Sequence, residues 1–213
     1  MSLFLLGIAL AIQPTFNNGP PPSMPPPQHQ LPGQDWQESL TARRALNAFG
    51  ACLANRNVVV VRSALTMNYA SRNYSRRIAQ LVERDEDCFR MRGGRMSFDH
   101  VSLAGAMAEH MIEQEPRPLN VRLARAALGP AGEVHSPADR VAMCVVRSLP
   151  DQVSALLVTD IDSPAEEAAA GALMPAFSAC SQPGVQLSLS TSGVRTSLAT
   201  AAYRSLLTQT AGR

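Results

Sequence analysis

Four cysteines, Cys52, Cys88, Cys144 and Cys180, stand in two pairs with the same internal spacing of 36 residues, the second pair offset from the first by 92. The flanking residues keep this register. Val61 aligns with Val153, Leu65 with Leu157, Ser71 with Ser163 and Leu81 with Leu173. Past the second cysteine the offset becomes 91. Met96-Ser97-Phe98 then aligns with Leu187-Ser188-Leu189, and Leu103, Met107 and Ala108 with Val194, Leu198 and Ala199. Identities are few, but apolar positions fall on apolar positions. The pattern reads as a diverged duplication covering residues 44–113 and 136–207. It requires one supersecondary unit to be built twice, so an ambiguous segment in one copy is read from its counterpart.

The unit is helical. Its first helix carries the first cysteine, over Glu38–Asn55 and Pro137–Arg147. A short second helix follows, over Val58–Met67 and Pro150–Val158. In isolation Val58-Val59-Val60-Val61 looks like a strand; the counterpart Pro150-Asp151-Gln152-Val153 is a helix start and decides the matter. The third helix is expected over Arg72–Asp87 and Pro164–Ala179, closed by the second cysteine. Ser163, Pro164 and Glu166 form a capping-box start, and Tyr74, Ile78, Leu81 and Val82 share one helical face. Short extended pieces are expected at Met96–Phe98 and Leu187–Leu189. The last helix runs over His100–Glu113 and Gly193–Leu207. Between the copies, Val121–Leu128 is one more short helix, stopped by Gly129-Pro130. The expected fold class is all-α: two tandem diverged helical repeats, each closed by one disulfide, after a disordered Pro-rich N-terminal segment.

Four cysteines allow three pairings. Duplication favours Cys52–Cys88 and Cys144–Cys180, each tying the first helix of a copy to the end of its third. Free buried thiols and a metal site are the alternatives. A zinc site of four cysteines normally uses close pairs, and no two cysteines here are close in sequence.

The N-terminus reads as a targeting segment. No charged residue precedes Asp35, and Leu3–Ile12 is an uninterrupted apolar run. It is shorter than the ~20 residues that span a bilayer and suits the hydrophobic region of a signal peptide, although no basic residue precedes it. Ala9-Leu10-Ala11 fits a cleavage site. Half of the sixteen prolines fall before residue 33, in runs such as Pro20-Pro21-Pro22, and read as a semi-rigid spacer. The expected organisation is a signal peptide over 1–11, a Pro-rich linker over 12–35, a helical repeat over 36–115, a connector over 116–135 and a second repeat over 136–213. The expected location is periplasmic or secreted, with no transmembrane span in the mature chain.

All 19 basic residues are arginine, so chemistry that depends on a lysine is excluded: the P-loop, Schiff bases and the Ser-x-x-Lys nucleophile. Residues 43–95 hold eleven arginines against four acids, whereas 96–213 hold eight against eleven. Arg72, Arg76, Arg77 and Arg84 lie on or beside the third helix, and Arg90, Arg92 and Arg95 crowd the turn after Cys88. Arg72, Arg76, Arg77, Arg92 and Arg95 form a candidate anion-binding face for an envelope component or an acidic protein. Arg92-Gly93-Gly94-Arg95 is a single copy without interleaved aromatics, so nucleic acid is not expected.

Other groupings read as structural. His110 beside Glu109 and Glu113 reads as a solvated helix face. Asp160-Ile161-Asp162, just before the Ser163 cap, reads as turn and cap chemistry. No Gly-x-Ser-x-Gly, His-Glu-x-x-His or Gly-x-Gly-x-x-Gly occurs. No catalytic residue, metal site or cofactor is assigned.

The cysteine spacing, together with segments such as Arg140-Val141-Ala142-Met143-Cys144-Val145-Val146-Arg147, resembles a group of uncharacterised exported proteins of sphingomonad-type alphaproteobacteria. They share a weak duplication, one cysteine pair per copy and helices after a cleavable leader. The resemblance covers about residues 44–207 and implies export, but no activity. The leading functional expectation is a non-catalytic exported binding or interaction module. The alternatives are an envelope hydrolase using carboxylates between the two repeats, and a purely structural spacer.

Overall fold

In the computed structural model, residues 35–90, 98–182 and 189–210 are described, with the backbone alone considered at 35–41, 89–90 and 209–210. The expected leader, nearly all of the Pro-rich linker, and most of the two short extended pieces lie outside them. Ten helices and no strand occur among the described residues. They are α1 (Asp35–Arg56), α2 (Val58–Leu65), α3 (Arg72–Arg84), α4 (Glu86–Arg90), α5 (His100–Glu113), α6 (Leu119–Ala127), α7 (Pro137–Ser148), α8 (Pro150–Leu157), α9 (Pro164–Cys180) and α10 (Thr191–Thr210). The fold is all-α, and two disulfides, Cys52–Cys88 and Cys144–Cys180, cross-link it.

The elements recur at the spacing of the cysteines. α2 and α8 both have eight residues and begin 92 positions apart, as α3 and α9 also do. The residue between the first two helices is kinked alike in both halves: Asn57 has φ −132° and ψ 43°, Leu149 φ −132° and ψ 56°. Ser71 and Ser163 each cap the following helix, their hydroxyls accepting the N–H of Tyr74 and Glu166 at 3.1 Å. Each satisfies an amide that the helix start leaves without a partner.

The long helices form a row in the order α1, α5, α10, α7. The apolar stripe of α5 buries Leu103, Met107 and Ile112, and that of α10 buries Val194, Leu198 and Ala202. At the centre of the row positions 91 apart meet: a Cβ on Gly105 would lie 2.9 Å from Thr196 Cγ2 and 3.0 Å from its Cα. Between α1 and α5 a Cβ on Gly50 would come within 2.6 Å of Ala106 Cβ, so only glycine permits this approach. α6 lies against α7, α8 and α10, so the connector belongs to the same core.

The two halves differ at the third helix. The sequence predicts one helix over Arg72–Asp87, but α3 ends at Arg84 and Cys88 sits in the separate α4. Asp85 interrupts the run with φ −113° and ψ 50°. Its buried carboxylate accepts bonds from Arg56 Nε at 2.6 Å and from the side-chain amide of Asn57, drawing the backbone out of helix. The counterpart position is the buried Phe177, and α9 runs unbroken to Cys180. Pro175 lies inside α9 on its exposed side, where the hydrogen bond it cannot donate is lost next to solvent.

Candidate functional site

α3 buries Tyr74, Ile78 and Leu81, and the Tyr74 hydroxyl donates to the His100 carbonyl at 2.8 Å. Helical spacing leaves Arg72, Arg76, Arg77 and Arg84 outside that stripe, spread over about 140° of the helix circumference, and all four are exposed with Asn73, Gln80 and Glu83. None of the four makes a hydrogen bond or ion pair among the described residues. Arg72, Arg76 and Arg77 of the predicted anion-binding set are therefore all exposed on α3; Arg92 and Arg95 lie outside the described residues.

Elsewhere arginines hold the fold together. Arg56 and Arg117 pair with Asp85 and Glu115. Arg147 donates to the carbonyls of Ala126 and Ala127 in the last turn of α6 and of Gly129 just after it. The most buried cations among the described residues are Arg195 and Arg204, nine residues apart on α10. Nε of Arg195 donates to both Glu109 oxygens at 3.0 Å, and Nη2 donates to Glu109 Oε2 at 2.9 Å. Its Nη1 reaches the Thr159 carbonyl at 3.1 Å and Glu166 Oε1 at 3.4 Å, and Nη2 reaches the Leu157 carbonyl at 3.3 Å. Arg204 donates to the Leu65 and Met67 carbonyls at 2.9 and 2.8 Å, pairs with Asp139 at 3.0 Å and lies 4.3 Å from the Tyr69 ring centroid. Leu65 and Met67 correspond to Leu157 and Thr159 at the offset of 92. One arginine of α10 thus caps the carbonyl end of α2 and the other that of α8.

A second guanidinium completes the Glu166 site. Arg43 donates to Glu166 at 2.7 and 3.1 Å and also pairs with Asp162. Asp162 has φ 63°, a left-handed conformation that Asp tolerates better than most residues. Asp160-Ile161-Asp162 is a turn, as expected, but Asp162 is also a buried partner of Arg43. Glu166 departs from the expected capping box: its carboxylate accepts the N–H of Asp162 at 2.8 Å, one residue before the cap, because Arg43 and Arg195 draw it inward. Glu109 overturns the solvated-face reading. It is 6% exposed and bound by Arg195, whereas His110 contacts Gln114 at 2.9 Å and Glu113 at 3.9 Å.

Sequence reasoning missed this network because its members come from α1, α5, α9 and α10 and the turn before α9. One signal was present: Arg195 stands between Val194 and Leu198 at the counterpart of Ala104, a charge on an apolar face.

Burial pushes the Glu109 carboxyl above the usual range, against the pull of Arg195. Burial also opposes ionisation of Glu166 and Asp85, yet hydrogen bonds from Arg43 hold Glu166 below its ordinary value and those from Asn57 and Arg56 hold Asp85 below its own. Groups depressed in the folded state stabilise it above their unfolded values of 4.5 and 3.8. That stability is lost as pH falls through the folded values. The urea midpoint should therefore drop on acidification below about pH 4.5, and Glu166→Gln should flatten the drop; an unchanged profile in the variant would refute the assignment.

A groove of about 810 Å³ opens beside the network, bordered by Arg44, Arg117, Glu113 and Asp160, with Glu109 and Arg195 in its wall. Glu109 and Glu166 are bound to arginine, whereas Glu113 and Asp160, one from each half, border the groove without an arginine partner among the described residues. Among the described residues no group of three His, Cys, Asp or Glu side chains converges to hold a metal, and no helix is long and apolar enough to cross a membrane. No family model matches the chain, and no characterised sequence or solved structure is significantly similar to it.

Proposed function

We propose that this chain is an exported, non-catalytic binding module made of two diverged copies of one disulfide-closed helical unit, and that its α3 face binds a linear anionic polymer of the cell envelope. The observation that carries the reading is the contrast among arginines: those of the core are consumed by carboxylates and carbonyls, and those of α3 are exposed and unpaired among the described residues. Arg72 and Arg84 are separated by about 18 Å along the helix axis, a length suited to successive charges of an extended chain. The face carries no exposed aromatic side chain for stacking on bases. It also lacks the large apolar residues of a helix that inserts into a lipid surface. Two formed disulfides favour an oxidising compartment and so support export. The hydrolase alternative loses Glu109 and Glu166, which both contact Arg195, and rests on Glu113 and Asp160 at the border of the groove.

Polygalacturonate is a suitable probe. The wild-type chain should bind it with an affinity that falls steeply with salt. The combined variant Arg72→Gln, Arg76→Gln, Arg77→Gln, Arg84→Gln should lose at least ten-fold in affinity while its melting temperature stays nearly unchanged, since exposed substitutions shift stability by only about 0.5 kcal/mol each. Equal binding by the variant, or none by the wild type, would overturn the proposal. Anionic vesicles and single-stranded DNA, run alongside, should bind more weakly.

A further inference from the structure

A second concave site lies away from α3, where the ends of α1, α5 and α10 meet the start of α2. It encloses about 410 Å³, within the range of small-molecule pockets. Its apolar wall is built from Val58, Met111, Ile112, Leu206 and Leu207. Leu206 and Leu207 end the apolar stripe of α10, and Ile112 ends that of α5, so the pocket continues the core toward the surface. Its polar side carries Arg62, Arg117 and Arg122 against the single acid Glu115, which leaves a net positive rim.

Tyr203 supplies the second observation. The residue is 5% exposed and lines this pocket, and no hydrogen bond of normal geometry reaches its buried hydroxyl. The charge that faces this hydroxyl is the Arg62 guanidinium. A guanidinium can only donate to this hydroxyl, so the hydroxyl's own O–H has no acceptor among the described residues, a cost that a bound acceptor removes. A carboxylate supplies that acceptor and also complements Arg62.

We infer that this pocket binds a single-chain amphiphile with a carboxylate head, its tail against Leu206, Leu207 and Val58 and its head at Arg62 and the Tyr203 hydroxyl. The apolar wall excludes a wholly polar anion as the best ligand, and the positive rim excludes a cationic amphiphile. The site shares no residue with the α3 face, so the two proposals stand or fall separately.

The test is calorimetric titration of the whole oxidised chain with dodecanoate, below its micellar concentration. One saturable site is expected. Arg62→Gln, an exposed change on α2, should weaken binding at least ten-fold. Tyr203→Phe should weaken it about five-fold without lowering stability, because the hydroxyl it removes has no bond of normal geometry to lose. Decyltrimethylammonium should not bind. Absence of saturable dodecanoate binding, equal affinity in Arg62→Gln, or equal binding of the cationic amphiphile would each overturn the inference. If Tyr203→Phe fails to fold, Arg62→Gln decides the outcome.

Discussion

Replacing Arg195 with methionine should destabilise the fold by about 3–5 kcal/mol, the cost of removing one partner from a buried ion pair. The guanidinium side chain is 6% exposed, and its acidic partners Glu109 and Glu166 are 7% and 1% exposed. Its loss strands Glu109, whose carboxylate otherwise receives three donor contacts. It also uncaps the Leu157 and Thr159 carbonyls at the end of α8. Glu166 suffers less, because Arg43 holds it independently. Combining Arg195→Met with Glu109→Gln should cost less than the sum of the single changes, since the second removes the charge that the first strands. Arg195→Lys should not restore stability, because an ammonium cannot span Glu109 and the carbonyls with one planar fork. Urea unfolding measures each value. A loss below about 1 kcal/mol for Arg195→Met would place the pair among weak surface bridges and refute its role as the tie between α5, α8 and α9.

Removal of the Cys144–Cys180 disulfide is the second large effect. The bond closes a segment of 36 residues, for which the chain-entropy relation gives about 4 kcal/mol. In a domain of this size that corresponds to a fall of roughly 8–16 °C in melting temperature. The paired change Cys144→Ala, Cys180→Ala avoids leaving a reactive thiol. The Cys52–Cys88 bond closes a segment of the same length, so Cys52→Ala with Cys88→Ala should cost a similar amount. Melting curves of the variants and of the reduced wild-type chain measure both. A reduced chain that melts with the oxidised one would show that helix packing alone holds the ends of α1 and α9 in place.

Much of the architecture was legible because local rules repeat. Ser71 and Ser163 mark helix starts in both halves, and the valine run of α2 became readable as helix once set beside Pro150-Asp151-Gln152-Val153. The interruption at Asp85 was not legible: Asn57 lies 28 residues from Asp85 in sequence, and only the folded chain brings the two together. The same division runs through the candidate sites. The α3 arginines form a face fixed by helical periodicity over thirteen residues, which a sequence displays directly. Glu109 and Arg195 are 86 residues apart, and Arg43 and Glu166 are 123 apart, so spacing carries no sign of their pairing. Glu109 read as solvated because His110 and Glu113 beside it are polar, and its burial follows from α10 lying across that side of α5.

The sequence by itself determined the helical class, the paired cysteines and the arginine face, because each rests on periodicity, capping or a repeated spacing within a short stretch. The tertiary structure decided which charges are buried, where α3 breaks, and that the two arginines of α10 cap α2 and α8. Desolvation is the reason: a charge removed from water takes whatever carbonyl or carboxylate the packing brings to it, and that choice is made between elements far apart in the chain.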